Sequence, residues 1–174
     1  MQIGINAMST IDAMRKDFAG TVRRLHDGGC AYIEAMSDWG ARKETLEFYA
    51  GLTGGPGGWD PENTLKRLKT LQALDMSIPG IFIFDDLALL REQAEELGAY
   101  CRDAGIGYVV LSFREYGGVD EIYEKIAALR KLAGTMGRYG VRVLLHNHEH
   151  DLARVTDRDG TEKQIRPLPM KICA

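Results

Sequence analysis

Five short apolar runs recur along the chain, and apolar residues at helical spacing lie between them. The runs are Gln2–Asn6, Ala31–Ala35, Ile78–Phe84, Tyr108–Ser112 and the stretch from Val141 to Leu145. Each is too short for a stable helix and rich in β-branched or aromatic residues, so each predicts a strand. Pro79 weakens the start of the third. The intervening stripes are Phe18, Val22 and Leu25; Leu65, Leu68, Leu71 and Leu74; Leu90, Ala94, Leu97, Cys101 and Ala104; and Ile122, Ile126, Leu129, Ala133 and Met136. Their steps of three and four residues predict amphipathic helices facing a core. Punctuation agrees: Gly28-Gly29 and Gly140 close helices, and Asp60-Pro61-Glu62 opens one, with Asp as cap and Pro in the first turn. A polar connection follows the first strand. The least regular part follows the second, with a helix expected over Lys43–Tyr49 and a loop over Thr53–Gly58, where glycine and proline oppose any helix.

Strand, helix, strand, helix is the signature of an α/β fold whose parallel sheet is covered by helices. A repeat of roughly 30 residues matches the unit of a (β/α)8 barrel, and five such units make a partial TIM barrel. A doubly wound sheet has the same alternation, and in both architectures function gathers at the C-terminal strand ends. No phosphate-loop or dinucleotide glycine fingerprint follows any strand. Residues 1–160 are expected to form the incomplete barrel domain. Residues 161–174 form an out-of-pattern tail in which Pro167 and Pro169 oppose helix and strand alike. That tail reads as the end of a truncated chain or a fragment.

The predicted strand ends carry the chemistry. They hold Asn6, Glu34, Asp85, Asp86, Ser112, Arg114 and Glu115, then the run His146-Asn147-His148-Glu149-His150-Asp151. Three of the four histidines alternate there. Alternate residues of an extended backbone point to one face, so His146, His148 and His150 can project together. Imidazole with carboxylate suits zinc, manganese, iron or nickel. The competing reading is a solvated loop in which one histidine packs and none binds metal. Glu34 and Arg114 likewise have bland readings, as a helix-terminus partner or a surface ion pair.

Composition narrows the classes. A net charge of −3 with mixed signs opposes a nucleic-acid surface, which needs clustered Lys and Arg. No apolar run reaches the roughly 20 residues of a membrane-spanning helix, and no signal peptide opens the chain. Cys30, Cys101 and Cys173 are odd in number and lack paired spacing, which opposes a disulfide framework and favours a cytoplasmic setting.

The segments Ile81–Phe84, Leu90–Leu97, Tyr108–Arg114 and above all Leu145-His-Asn-His-Glu-His-Asp151 resemble the sugar phosphate isomerase/epimerase family. That family belongs to the xylose isomerase-like TIM-barrel superfamily, which also holds inosose dehydratases and AP endonucleases. The resemblance covers roughly residues 1–160 and is most specific at the His-Asn-His segment. It implies a divalent metal (manganese, zinc, cobalt or magnesium) at the C-terminal mouth and a carboxylate that moves a proton next to a sugar carbonyl. It also implies catalytic roles for Glu34, His146 and Glu149, metal ligation by His146 and His148, and substrate contacts from Asn6, Ser112, Arg114 and Asn147. Many relatives end strand five in a glutamate; His146 holds that position here. Relatives also continue through strands six to eight, which supply further ligands, so the isolated chain is expected to bind metal weakly and turn over little.

Two function classes follow. One is a sugar or sugar phosphate isomerase/epimerase-type enzyme, impaired by truncation. The other is an inactive half-barrel that binds a sugar or a partner chain, self-associating through its open sheet edge. They differ in how many metal-ligating side chains converge. Nucleic-acid repair, by analogy with the endonucleases, is disfavoured by the acidic balance.

Overall fold

The computed structural model describes residues 2–37, 39, 43–44, 47, 61–83, 87–112, 119–146, 154–156 and 158–164. Five strands, β1 (Ile3–Asn6), β2 (Cys30–Ser37), β3 (Gly80–Ile83), β4 (Tyr108–Ser112) and β5 (Arg142–His146), form one sheet in the order β1-β2-β3-β4-β5. Every neighbouring pair is parallel. The order never reverses, and a doubly wound sheet must reverse at its switch point. The sheet is therefore the progression of a barrel, five consecutive βα units of a (β/α)8 fold.

The helices are α1 (Ile11–Lys16), α2 (Phe18–Asp27), α3 (Pro61–Gln72), α4 (Leu87–Glu92), α5 (Ala94–Ala104) and α6 (Val119–Gly137). Strand alternation decides which sheet face they cover. Ala35, Ile81, Ile83, Val109 and Leu111 point one way and are at most 2% exposed, in one core with Leu71, Leu90, Leu97, Leu132 and Met136 of the helices. Tyr32, Glu34, Phe82 and Tyr108 point the other way and are only half-buried. The second face is the inner wall of the barrel.

Several boundaries differ from those the sequence predicts. The connection after β1 is a 3-10 turn (Ala7–Thr10) running into α1, because Ile11 and Met14, three apart, both reach the core. Strand β2 continues to Ser37, so Glu34 lies within the strand rather than near its end. Strand β3 starts at Gly80 instead of Ile78. Ser77 pairs with β2 instead, exchanging bonds of 3.0 and 3.1 Å with Ile33 and Ala31, while the Pro79 carbonyl accepts from Gly107 and Tyr108. The stripe from Leu90 to Ala104 is buried as predicted, but the helix breaks at Gln93 into α4 and α5. Strand β5 is half-buried over Val143–Leu145 where a buried strand is predicted, because among the described residues only β4 pairs with it. The helix expected over Lys43–Tyr49 lies mostly outside the described residues, as do the loop Thr53–Gly58, the cap Asp60 and Phe84.

Gly105 and Gly140 end α5 and the turn after α6 with φ of 72° and 74°, a left-handed geometry that glycine adopts without a Cβ clash. Helices α5 and α6 are joined at the surface by Glu95, which accepts from Arg138 and from the Tyr139 hydroxyl at 2.8 Å. The Tyr139 ring lies over Gly98, where a Cβ would collide with it. A short antiparallel hairpin, β6 (Arg154–Thr156) with β7 (Glu162–Gln164), follows the sheet and straddles the point where periodicity fades in the sequence.

The leucines of α3 do not share a face. Steps of three residues slip back by about 60° each on a helix of 3.6 residues per turn, so the inward line is Thr64, Leu68 and Leu71 instead. Thr64 is 2% and Leu71 0% exposed, against 43% for Leu65. Leu71→Ala should therefore cost about 2–5 kcal/mol in urea denaturation, whereas Leu65→Ala should stay within about 0.5 kcal/mol. Equal costs would contradict this phase.

Candidate active site

The strand register places the predicted residues. Asn6 is level with Glu34, Tyr108 with Gly80 and Arg142, and Ser112 with His146. Because Ala35 is level with Ile81, Glu34 falls in the same row as Gly80 and Tyr108. His146 is four residues beyond Arg142 on β5, and β5 is four strand steps from β1. Eight strands with a shear of about eight stagger by about one residue per step. Asn6 and His146 therefore stand at one height on the barrel axis, at its C-terminal mouth, with Glu34 about one residue lower.

Asn6 and Glu34 are brought into contact. Asn6 Nδ2 donates to Glu34 Oε1 at 2.7 Å, while Asn6 Oδ1 accepts from the Met8 N–H at 2.9 Å and caps the following 3-10 turn. The two bonds hold the amide in one orientation, so its NH2 faces the carboxylate. Glu34 has a second partner that the sequence does not indicate. Tyr108, two strands away and in the same row, brings its phenol up beside the same carboxylate. Its ring crosses β3 at Gly80, where a Cβ would overlap the ring. Burial first, and then the Glu34 carboxylate, push the Tyr108 phenol above its ordinary value of 10.0, with Arg142 pulling weakly the other way. A glycine opening a strand is the available hint, since it marks close approach by another group.

His146 and Ser112 are neighbours on the other side of the mouth. His146 is exposed and meets the edge of Phe82 with ring centroids 5.5 Å apart. That contact puts its imidazole on the inner wall. Three strand spacings of about 4.8 Å separate β5 from β2, so Glu34 and His146 face one mouth from opposite sides without touching. Glu149, Arg114, Asn147 and His148 lie outside the described residues, as do Asp85, Asp86, Glu115, His150 and Asp151. Among the described residues, no three His, Cys, Asp or Glu side chains converge as a metal site. None of the described helices is long and apolar enough to cross a membrane.

No protein-family model and no curated protein sequence matches the chain. Solved structures do. A sugar phosphate isomerase/epimerase from Parabacteroides distasonis aligns over 97% of this chain and 58% of its own, with a TM-score of 0.68 at 15% identity. A second sugar phosphate isomerase/epimerase structure from the same organism aligns over 94% and 62%, with a TM-score of 0.71 at 16% identity. The IOLI protein, solved with a bound zinc atom, aligns over 83% and 51%, with a TM-score of 0.52 at 15% identity. This chain thus spans less than two thirds of the length of each. Over that span it shares the fold of the sugar phosphate isomerase/epimerase structures, five consecutive βα units of a (β/α)8 barrel.

Proposed function

We propose that this chain acts as a sugar or sugar phosphate isomerase/epimerase, transferring a proton at the carbon next to a carbonyl. The observation that carries the reading is the Glu34 carboxylate on the inner wall of the mouth, held by Asn6 Nδ2 at 2.7 Å with the Tyr108 phenol beside it. A fixed carboxylate is suited to take a proton from carbon and return it, provided substrate reaches it. Glu34 accepts the proton from the carbon beside the carbonyl, the C–H electron pair forms the enediolate double bond, and the carbonyl oxygen takes up the charge. Return of the proton to the neighbouring carbon, with the hydroxyl proton passing from the second oxygen to the first, isomerises the sugar; epimerisation would instead take a proton delivered to the opposite face of the same carbon by an acid across the mouth. Ser112 and His146 across the mouth would hydrogen-bond the sugar hydroxyls, with Arg114 and Asn147 as further contacts in this proposal.

A divalent ion belongs to the reading through His146 with His148 and Glu149, and the zinc atom bound in the IOLI structure supports a metal in proteins of this fold. The described residues do not make a three-ligand set, so no step is routed through it. A cytoplasmic setting suits the free thiols of Cys30 and Cys101. The alternative, a half-barrel that binds a sugar or a second copy, draws on one observation: β5 carries half-buried Val143, Leu144 and Leu145 and, among the described residues, pairs only with β4. A strand with one partner is a template for another.

The test is proton exchange. Aldoses, ketoses and their phosphates are incubated in deuterated water with the chain and manganese, zinc, cobalt or magnesium, and deuterium at the carbon next to the carbonyl is followed by NMR. Slow exchange that drops by about 10²-fold or more in Glu34→Gln is expected. Exchange that is absent across the panel, or unchanged by Glu34→Gln, would reject the proposal. Concentration-dependent dimerisation in sedimentation without exchange would favour the binding half-barrel.

A further inference from the structure

Tyr108 stands beside Glu34 but has been given no part in the proton transfer, and its placement is specific. It is the first residue of β4, on the inner face, and it bypasses the neighbouring strand to reach β2. The route exists because the intervening position is Gly80, fully buried beneath the ring. Any other residue there would put its Cβ into the ring's place. We infer that Tyr108 is a positioning residue for Glu34, its hydroxyl and the Asn6 amide gripping the carboxylate from two sides through the gap left by Gly80. The inference rests on the proposed function for its catalytic consequence, but its structural part does not.

The physical case has three parts. A glutamate side chain has three rotatable bonds, and one donor fixes one oxygen only. Asn6 donates to Oε1 from β1, the neighbour on one side, and Tyr108 approaches from β4 on the other, so rotation of the carboxylate is opposed from both. Next, Asn6 is itself fixed by the Met8 N–H, and the Tyr108 backbone N–H is bonded to the Pro79 carbonyl at 3.2 Å, so both groups stand on anchored backbone. Last, an oriented base matters for rate because misplacement by about 1 Å can cost about 10²-fold.

The charged groups that bear on the Tyr108 phenol are Glu34 on β2 and Arg142 on β5. This gives a readout that needs no turnover. Ultraviolet absorbance titration of the chain, with the Tyr108→Phe spectrum subtracted, isolates the phenolate transition of Tyr108. In Glu34→Gln that transition should move part of the way down toward the ordinary phenol range, since burial still raises it but the carboxylate's share is gone. The sign carries over to stability. A folded-state value above the unfolded one contributes stability that is present below pH about 10 and lost as pH rises through the folded value. Tyr108→Phe should therefore flatten the alkaline loss of Tm.

For the reaction, Tyr108→Phe should lower the turnover of proton exchange by roughly 10- to 100-fold with KM nearly unchanged, because the hydroxyl orients the base and does not bind the sugar. Gly80→Ala should displace the ring and reproduce both effects, with circular dichroism confirming the fold; should it fail to fold, Tyr108→Phe still decides. A Tyr108 transition that stays in place in Glu34→Gln overturns the inference whatever the turnover. So does a Tyr108→Phe variant with full turnover where Glu34→Gln has none. If the titration moves but Glu34→Gln leaves exchange intact, the contact stands, the positioning role is overturned, and the proposed function falls with it.

Discussion

The parallel register of five strands is the constraint on which the rest of the molecule depends. Successive residues of a strand face opposite ways, so one register sorts every strand residue into two populations at once. One population, Ala35, Ile81, Ile83, Val109 and Leu111, goes into the helix layer and is removed from water almost entirely. The burial of that face is the main source of stability here. It leaves the second population free to carry groups that a core would not tolerate. Glu34 and Tyr108 are such groups, and each is bounded on its own strand by a fully buried neighbour. A slip of one residue would bury Glu34 against the helices and expose the apolar set, so the fold cannot relax away from this arrangement.

The same register gives the mouth its shape. Because the paired windows climb along the sheet, β1 ends at Asn6 while β5 runs four residues beyond the level of Asn6. In a flat sheet this stagger would scatter the strand ends. In a barrel it brings them to one height. Residues from β1, β2, β4 and β5 can then face one mouth although the end of β1 lies four residues below the row shared by the ends of β4 and β5. Low sequence identity to the isomerase/epimerase structures is compatible with this, since stagger and alternation need only apolar residues of suitable size at the outer positions.

Much of this was legible in the chain. The strands stood out because buried parallel strands are near-continuous apolar runs, and the stripe Leu90, Ala94, Leu97, Cys101 and Ala104 was legible because its spacing follows the helical turn. Other features were not. The leucines of α3 recur every three residues, which resembles a stripe in writing and drifts round the helix in space. Helix α1 is short and half polar, and only the pair Ile11 and Met14 betrays it. Asn6 could be placed at a strand end and Glu34 on the second strand, but their contact depends on β1 pairing with β2 in one particular register.

Tyr108 is the most instructive of these. In the sequence it is the first member of an apolar run, and its neighbours Val109, Val110 and Leu111 argue for a plain core residue. What separates it from them is a hydroxyl and the identity of a residue 28 positions earlier, Gly80. Neither alone carries meaning. A tyrosine at a strand start commonly leaves its hydroxyl in water, and a glycine there commonly marks only a turn. Together, in adjacent strands and in register, they open a path across a sheet that side chains ordinarily close. A carboxylate facing the inner wall would otherwise rely on water and Asn6 to satisfy its lone pairs. The path across Gly80 lets a phenol built into the scaffold stand where part of that water would be, and a group already in place does not have to be reorganised when the charge on the carboxylate changes.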